Sequence, residues 1–275
     1  MRLRRPRRPR LARRTAGESL RRGIFLLPSL FTVSNMLCGF AAILHAIHNR
    51  FELAGWLIIL AGVLDGLDGR IARLMHSTSD FGKEYDSLAD VVSFGVAPAI
   101  LAYQWGLVGT GRWGWAVAFL FLVAGSVRLA RFNVHVADGD KRFFTGLPIP
   151  AGAGSLTMMV LISPEPIAGR IGTVVVSAFV FLISVLMVST IPYRSYKDFN
   201  PRQRWPATAF FLFAVIVAVV VVSPLPVMAF LATAYLVSGP LEMGIGFVRR
   251  RRRGRQIETI EASRAATPPV HSDHS

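Results

Sequence analysis

Apolar runs close to 20 residues long recur along almost the whole chain, and this repetition constrains the fold more than any other feature. The runs cover about 26–47, 52–75, 84–107, 114–134, 149–164, 169–190, 206–222 and 225–246. At about 1.5 Å rise per residue, a helix of about 20 residues crosses the roughly 30 Å hydrocarbon layer of a bilayer. The runs lack strict apolar–polar alternation and are about twice the length of a barrel strand, which argues against a transmembrane β-barrel. The expected fold is all-α: a polytopic integral membrane helical bundle with eight transmembrane helices. The run at 149–164 is the shortest and has Pro148 and Pro150 at its start, while Pro224 and Pro226 mark a tight turn between the last two runs. Composition agrees. Of 275 residues, 52% are hydrophobic and only 17% charged, which argues against a soluble globule and against a disordered chain. A single cysteine, Cys38, excludes an intrachain disulfide and any multi-cysteine metal site.

Charge divides the connections into two sets. The formal net charge is +15, and 28 of the 31 basic residues fall in 1–22, 69–83, 128–142, 191–205 and the tail from 249. The alternate connections hold only Arg50, Arg112 and Arg170. The positive-inside rule then places both termini in the cytoplasm, which requires an even number of spans. Three regions are expected: a basic cytoplasmic segment 1–24, a transmembrane catalytic domain 25–248, and a basic then disordered tail 249–275. The first apolar run lacks a small-residue cleavage pattern, so it is expected to be a retained span and not a signal peptide. The basic run Arg249 to Arg253 reads as a topology anchor in contact with anionic lipid. No aromatic stacking platform accompanies the charge, so nucleic acid is not an expected partner.

The chemistry gathers in residues 65–90. Asp65 and Asp68 are three apart, so on a helix they share a face, and Ala72 lies on that face as well. Gly82, Asp86 and Asp90 are spaced by four and form a second stripe. Two such helices facing one another bring four carboxylates together near hydrocarbon, which is costly without compensation. Divalent metal is the compensation expected, and an all-oxygen donor set favours Mg²⁺, Mn²⁺ or Ca²⁺ over zinc. Gly69 and Gly82 leave room beside the acidic stripes for a substrate phosphate. Such a set suits phosphoryl or phosphatidyl transfer, in which a carboxylate takes the proton of an attacking hydroxyl. Asp80 and Glu84 lie off both stripes. A cation or metabolite transporter using the same acids is the alternative from a different class, weakened by the absence of an evident internal repeat.

The set Asp65, Asp68, Gly69, Ala72, Arg73, Gly82, Asp86 and Asp90, at these spacings, resembles the complete signature of the CDP-alcohol phosphatidyltransferases. The resemblance covers roughly residues 25–245. It implies a helical membrane enzyme of that fold, usually a homodimer; with the charge distribution above, the expected location is the inner (plasma) membrane with the active site at the cytoplasmic face. It implies a CDP-activated lipid donor and CMP as leaving group. Carried over by position, Asp65, Asp68, Asp86 and Asp90 hold Mg²⁺ or Mn²⁺, as two ions, and Asp90 is also the proton acceptor. Gly69, Ala72, Arg73 and Gly82 lie against the cytidine diphosphate. The stretches Leu27 to Asn35, Asp86 to Pro98, Arg128 to Asn133 and Phe144 to Pro150 are similar to the bacterial serine-accepting branch. The implied reaction is transfer of the phosphatidyl group from CDP-diacylglycerol to L-serine, giving phosphatidylserine and CMP. Glycerol 3-phosphate, inositol phosphate and choline remain alternative acceptors. Arg128, Arg131 and Asn133 are the candidate acceptor contacts, and Arg131 is the first choice for a planar two-pronged grip on the serine carboxylate.

Overall fold

The computed structural model describes residues 16–74, 79–137, 144–193 and 222–241. The expected span at 206–222 lies outside these residues save for its last position. So do the basic segment before Ala16, the tail 249–275, and the basic residues of the 138–143 and 194–205 connections. The other seven expected spans coincide with helices. These are α1 (Ala16–Ile47), α2 (Phe51–Leu74), the helical stretch that opens with α3 (Asp80–Asp90) and continues through α4 (Ala97–Ala102), α5 (Arg112–Ala137), α6 (Ile149–Ile162), α7 (Arg170–Val188) and α8 (Pro224–Leu241).

Five described helices are long and apolar enough to cross a membrane: those covering Leu30–Ile47, Phe81–Thr110, Arg112–Val134, Arg170–Val188 and Pro224–Leu241. The 24-residue α2 is as long, but it carries the charged residues of the acidic motif. The 14-residue α6 begins at Pro148 and Pro150. At about 1.5 Å per residue it falls short of the hydrocarbon thickness. Large apolar side chains such as Leu37, Phe40, Trp113, Ile171 and Phe230 face outward, each more than half exposed. Alanine is the most frequent residue of the buried hydrophobic core. Small residues inside and large ones outside is the pattern of helices that pack closely in lipid. Together these features make the chain a multi-pass membrane protein.

The helix pair α1–α2 shows why this packing works. Residues 48–50 join the two in a tight turn, with Asn49 at φ +58°, so the helices run antiparallel. Over residues 30–47 of α1 the buried positions are Thr32, Asn35, Gly39, Ala42 and Ala46, in alternating steps of three and four. On α2, Ala54, Ile58 and Ala61 are buried, and the same stepping continues to Asp65 and Asp68. Each set forms one stripe along its helix. The two stripes meet as a seam of small side chains whose far end is polar.

The third span is one helical stretch broken in phase. π-helical turns occupy Val91–Val96, directly after Asp90, and Tyr103–Leu107. Pro98 lacks an N–H and cannot complete the regular ladder across this region. The Ala97 N–H instead donates to the Val92 carbonyl, five residues back. Gly39 presses against this segment: a Cβ there would stand 2.7 Å from Ser93 Cα. Two short strands, β1 (Phe144–Thr145) and β2 (Pro192–Tyr193), pair antiparallel with Phe144 opposite Tyr193. Gly146 follows at φ +81°, with its N–H on the Ile191 carbonyl at 2.9 Å. This small ladder pins the Phe144–Pro150 stretch against the end of α7 and is the one extended element among the described residues of an otherwise helical fold.

Candidate active site

The polar end of the α1–α2 seam is where the two acidic stripes meet. α3 starts at Ser79, whose Oγ accepts the Gly82 N–H at 3.0 Å, a side-chain cap that satisfies one free donor of the first turn. From that start the 82–86–90 stripe turns toward α2. One carboxylate oxygen from each of Asp65, Asp68 and Asp86 lies within 4.8 Å of the others. Asp90 completes the group, with its carboxyl in electrostatic contact with those of Asp65, Asp86 and Asp68. Asp68 is buried and accepts a hydrogen bond from Thr32 Oγ1 at 2.9 Å. All four carboxylates expected from the two stripes therefore converge.

Three carboxylates at this spacing repel one another by roughly 3–4 kcal/mol per pair at an effective dielectric of about 20. The repulsion is paired with unused binding capacity, since the buried Asp86 Oδ1 and Asp90 Oδ1 have no hydrogen-bond partner. Hard, anionic oxygens left unpartnered fit a hard divalent cation. The donor set therefore suits the metal its spacing predicts.

The glycines differ in their surroundings. A Cβ at Gly66 or Gly69 would meet nothing within 4 Å, so α2 has open space beside Asp65 and Asp68. At Gly82 a Cβ would stand 3.1 Å from the capping Ser79 Oγ, which makes Gly82 part of the helix start as well as of the acidic stripe. Ala72 and Arg73 belong to the last turns of α2, and their side chains lie outside the described residues.

The three polar residues of α5 have distinct environments. Arg128 is buried, 6% exposed. Its guanidinium sits 5.3 Å from the Phe132 ring centroid, its Nε has no partner, and it interacts electrostatically with Asp90 and with Tyr235 of α8. Arg131 instead donates to the Val188 carbonyl at 3.1 Å, at the C-terminal end of α7, where the last carbonyls of a helix lack partners. Asn133 donates to Ser87 Oγ at 2.9 Å and ties α5 to α3 next to Asp86. Arg128 is thus a buried cation within electrostatic reach of Asp90, whereas Arg131 and Asn133 each bond a neighbouring helix.

Thr32, Asn35, Ser87 and Tyr235 also belong to this neighbourhood, and their involvement was not read from the sequence. A signal for the first two exists there: polar residues at two inward positions of a helix whose other inward positions are Gly39, Ala42 and Ala46. Ser87 and Tyr235 offer no comparable pattern.

A family model described as CDP-alcohol phosphatidyltransferase matches residues 25–187, a range that includes every carboxylate and arginine of the site. The CDP-diacylglycerol--serine O-phosphatidyltransferase of Helicobacter pylori (strain ATCC 700392 / 26695) is 40% identical over 218 residues, covering 78% of this chain and 90% of that protein. The protein of the same name from Bacillus subtilis (strain 168) is 34% identical over 171 residues, covering 62% and 91%. The archaetidylserine synthase of Methanothermobacter thermautotrophicus is 39% identical over 169 residues, covering 61% and 69%.

Proposed function

The chain belongs to the CDP-alcohol phosphatidyltransferase family, and from that premise we propose that it transfers the phosphatidyl group of CDP-diacylglycerol to L-serine, giving phosphatidylserine and CMP. The observation that carries the reading is the convergence of Asp65, Asp68, Asp86 and Asp90 in a chain whose relatives share serine in their names. Asp65, Asp68 and Asp86 would hold divalent metal together with Asp90, as Mg²⁺ or Mn²⁺ and as two ions. When bound, such metal would supply charge neutralisation for the diphosphate oxygens and the leaving CMP.

The protein's own groups do the rest. The serine hydroxyl oxygen attacks the phosphorus that bears the diacylglycerol. A new P–O bond forms to serine, and the bond to the CMP oxygen breaks. Asp90 Oδ1, free of protein hydrogen bonds, takes the hydroxyl proton. The open space beside Gly66 and Gly69 admits the diphosphate, with Gly69, Ala72, Arg73 and Gly82 against the nucleotide. Arg128, a buried arginine whose Nε has no partner, would bind the serine carboxylate. Arg131 and Asn133 support that position through α7 and α3.

The outward-facing apolar side chains let the acyl chains remain in the bilayer while phosphorus reaches the carboxylates. The distribution of basic residues supports a cytoplasmic active site in the inner membrane with both termini inside, and a homodimer is the assembly expected for the family. The test is an acceptor panel. Purified protein with CDP-diacylglycerol should release CMP faster with L-serine than with glycerol 3-phosphate, inositol phosphate or choline at matched concentrations. Preference for any of the other three would reject serine and leave phosphatidyl transfer standing.

A further inference from the structure

Of the two polar residues that α1 places in the seam, Thr32 is bonded to Asp68, whereas Asn35 has neither a side-chain partner nor a role in the reaction above. Asn35 is completely buried, with 0% exposure, and neither its Oδ1 nor its Nδ2 has a hydrogen-bond partner. A buried amide without partners carries a desolvation cost that nothing in the protein offsets. Loose packing does not explain its isolation. The Asn35 carbonyl accepts a hydrogen bond from Ser93 Oγ at 3.0 Å, and one turn further Gly39 touches the same serine. The backbone is held firmly while the carboxamide is left unsatisfied.

The register of the seam locates that carboxamide. Thr32 Oγ1 meets Asp68 at 2.9 Å. Along α1 the next inward position after Thr32 is Asn35, and along α2 the inward position before Asp68 is Asp65. Because the two helices are antiparallel, a step into the bundle on one matches a step into the bundle on the other. Asn35 therefore stands at the level of Asp65, one of the three carboxylates grouped within 4.8 Å of one another. Ser93, the partner of the Asn35 carbonyl, lies three residues beyond Asp90 on the third span, which packs against α1. Two unpartnered amide atoms and the unpartnered Asp90 Oδ1 thus share one buried layer.

We propose that Asn35 is a neutral fifth member of the divalent-cation set, a positioning residue whose amide oxygen faces the cation and whose NH₂ group orients a carboxylate of the Asp65–Asp90 pair. The inference rests on the cation reading of the carboxylates. A carboxamide suits this place for a physical reason: it offers a hard oxygen of the kind such cations accept without adding a fifth negative charge. It also has a donor, which the four carboxylates lack when ionised.

The experiment uses the full chain, purified in detergent, with Mn²⁺ as the probe. Free Mn²⁺ is followed by electron paramagnetic resonance during titration, and the melting temperature is recorded with and without Mn²⁺. Asn35→Leu keeps similar bulk and removes both polar atoms. It should weaken Mn²⁺ binding by roughly ten-fold or more while the metal-free melting temperature stays level or rises. Asn35→Asp keeps the oxygen and adds charge. It should bind Mn²⁺ at least as tightly as the wild type, with a lower metal-free melting temperature and a larger Mn²⁺-induced rise. Asn35→Leu protein that binds Mn²⁺ like the wild type would overturn the proposal, as would a fall in metal-free melting temperature at unchanged affinity. If Asn35→Leu does not fold, the Asp variant decides, and an Mn²⁺-induced rise no larger than in the wild type overturns the proposal. Wild-type protein that binds no Mn²⁺ would overturn the cation reading and this inference together.

Discussion

The two ends of the α1–α2 seam are built on one geometry and used for opposite purposes. At one end Gly39, Ala42 and Ala46 face Ala54, Ile58 and Ala61, all without polar side chains. At the other, Thr32 and Asn35 face Asp65 and Asp68 at the same alternating spacing. The small-residue end allows the helices close approach, where dispersion contacts supply the stability that water exclusion cannot supply in lipid. That approach is also what holds the carboxylates of the other end near one another. The difference shows where a membrane enzyme puts its unfavourable groups: the apolar half of a helix pair offsets the repulsion stored in the polar half. Damage to the apolar end should therefore appear mainly as lost stability, and damage to the polar end mainly as lost turnover.

The sharpest way to separate the two ends is removal of metal. Exhaustive chelation should bring CMP release to background, and Mg²⁺ or Mn²⁺ should restore it, because only the polar end has charges that need compensation. Undiminished release in chelator would break the comparison at once. Next in size is Arg128→Lys, which keeps the charge and loses the planar fork. It should raise the apparent KM for L-serine more than that for CDP-diacylglycerol and lower kcat/KM roughly ten- to hundred-fold, the effect of losing about 1.5–3 kcal/mol of charged hydrogen bonding. Arg131→Lys should change the serine KM less, since Arg131 is engaged with the Val188 carbonyl. An equal or larger effect there would exchange the roles of the two arginines.

At the apolar end, Ala54→Leu overfills a fully buried position and should cost about 1–3 kcal/mol of stability. Thermal denaturation would record it, while CMP release per folded molecule stays close to wild type. A large loss of turnover without a stability change would show that the two ends are not separable. The smallest effect is expected for Asn133→Ala, which removes the 2.9 Å bond to Ser87 and should cost about 0.5–1.5 kcal/mol. A rise in serine KM beyond what that loss explains would make Asn133 an acceptor contact instead of a tie between helices.

Legibility in the sequence follows the range of the forces involved. The membrane helices and the two acidic stripes were readable because length, hydropathy and three- or four-residue spacing are local properties. The convergence of Asp65, Asp68 and Asp86 also required the two stripes to face one another, which the fold provides. The roles of Arg128 and Arg131 did not, since both lie near one end of α5, three residues apart. Only the tertiary neighbours Asp90 and Val188 distinguish them. The π turns after Asp90 were equally hidden, although Pro98 marks the region, because a phase shift within an apolar helix leaves no periodic trace. Asn35 stood in plain view on an apolar helix, but a lone polar residue carries no information about its partners until the register of the opposing helix is known.

The central claim is that the polar end of the seam performs phosphatidyl transfer with Asp90 as the proton acceptor. Its most direct test is Asp90→Asn, which replaces the carboxylate by an amide of nearly the same shape. Serine-dependent CMP release from CDP-diacylglycerol, Mn²⁺ binding and melting temperature should be measured on the same preparation. The account predicts a folded protein that still binds Mn²⁺, with release lowered by about 10²–10⁴-fold, the usual contribution of a positioned general base. A folded Asp90→Asn protein with near-normal CMP release would contradict it.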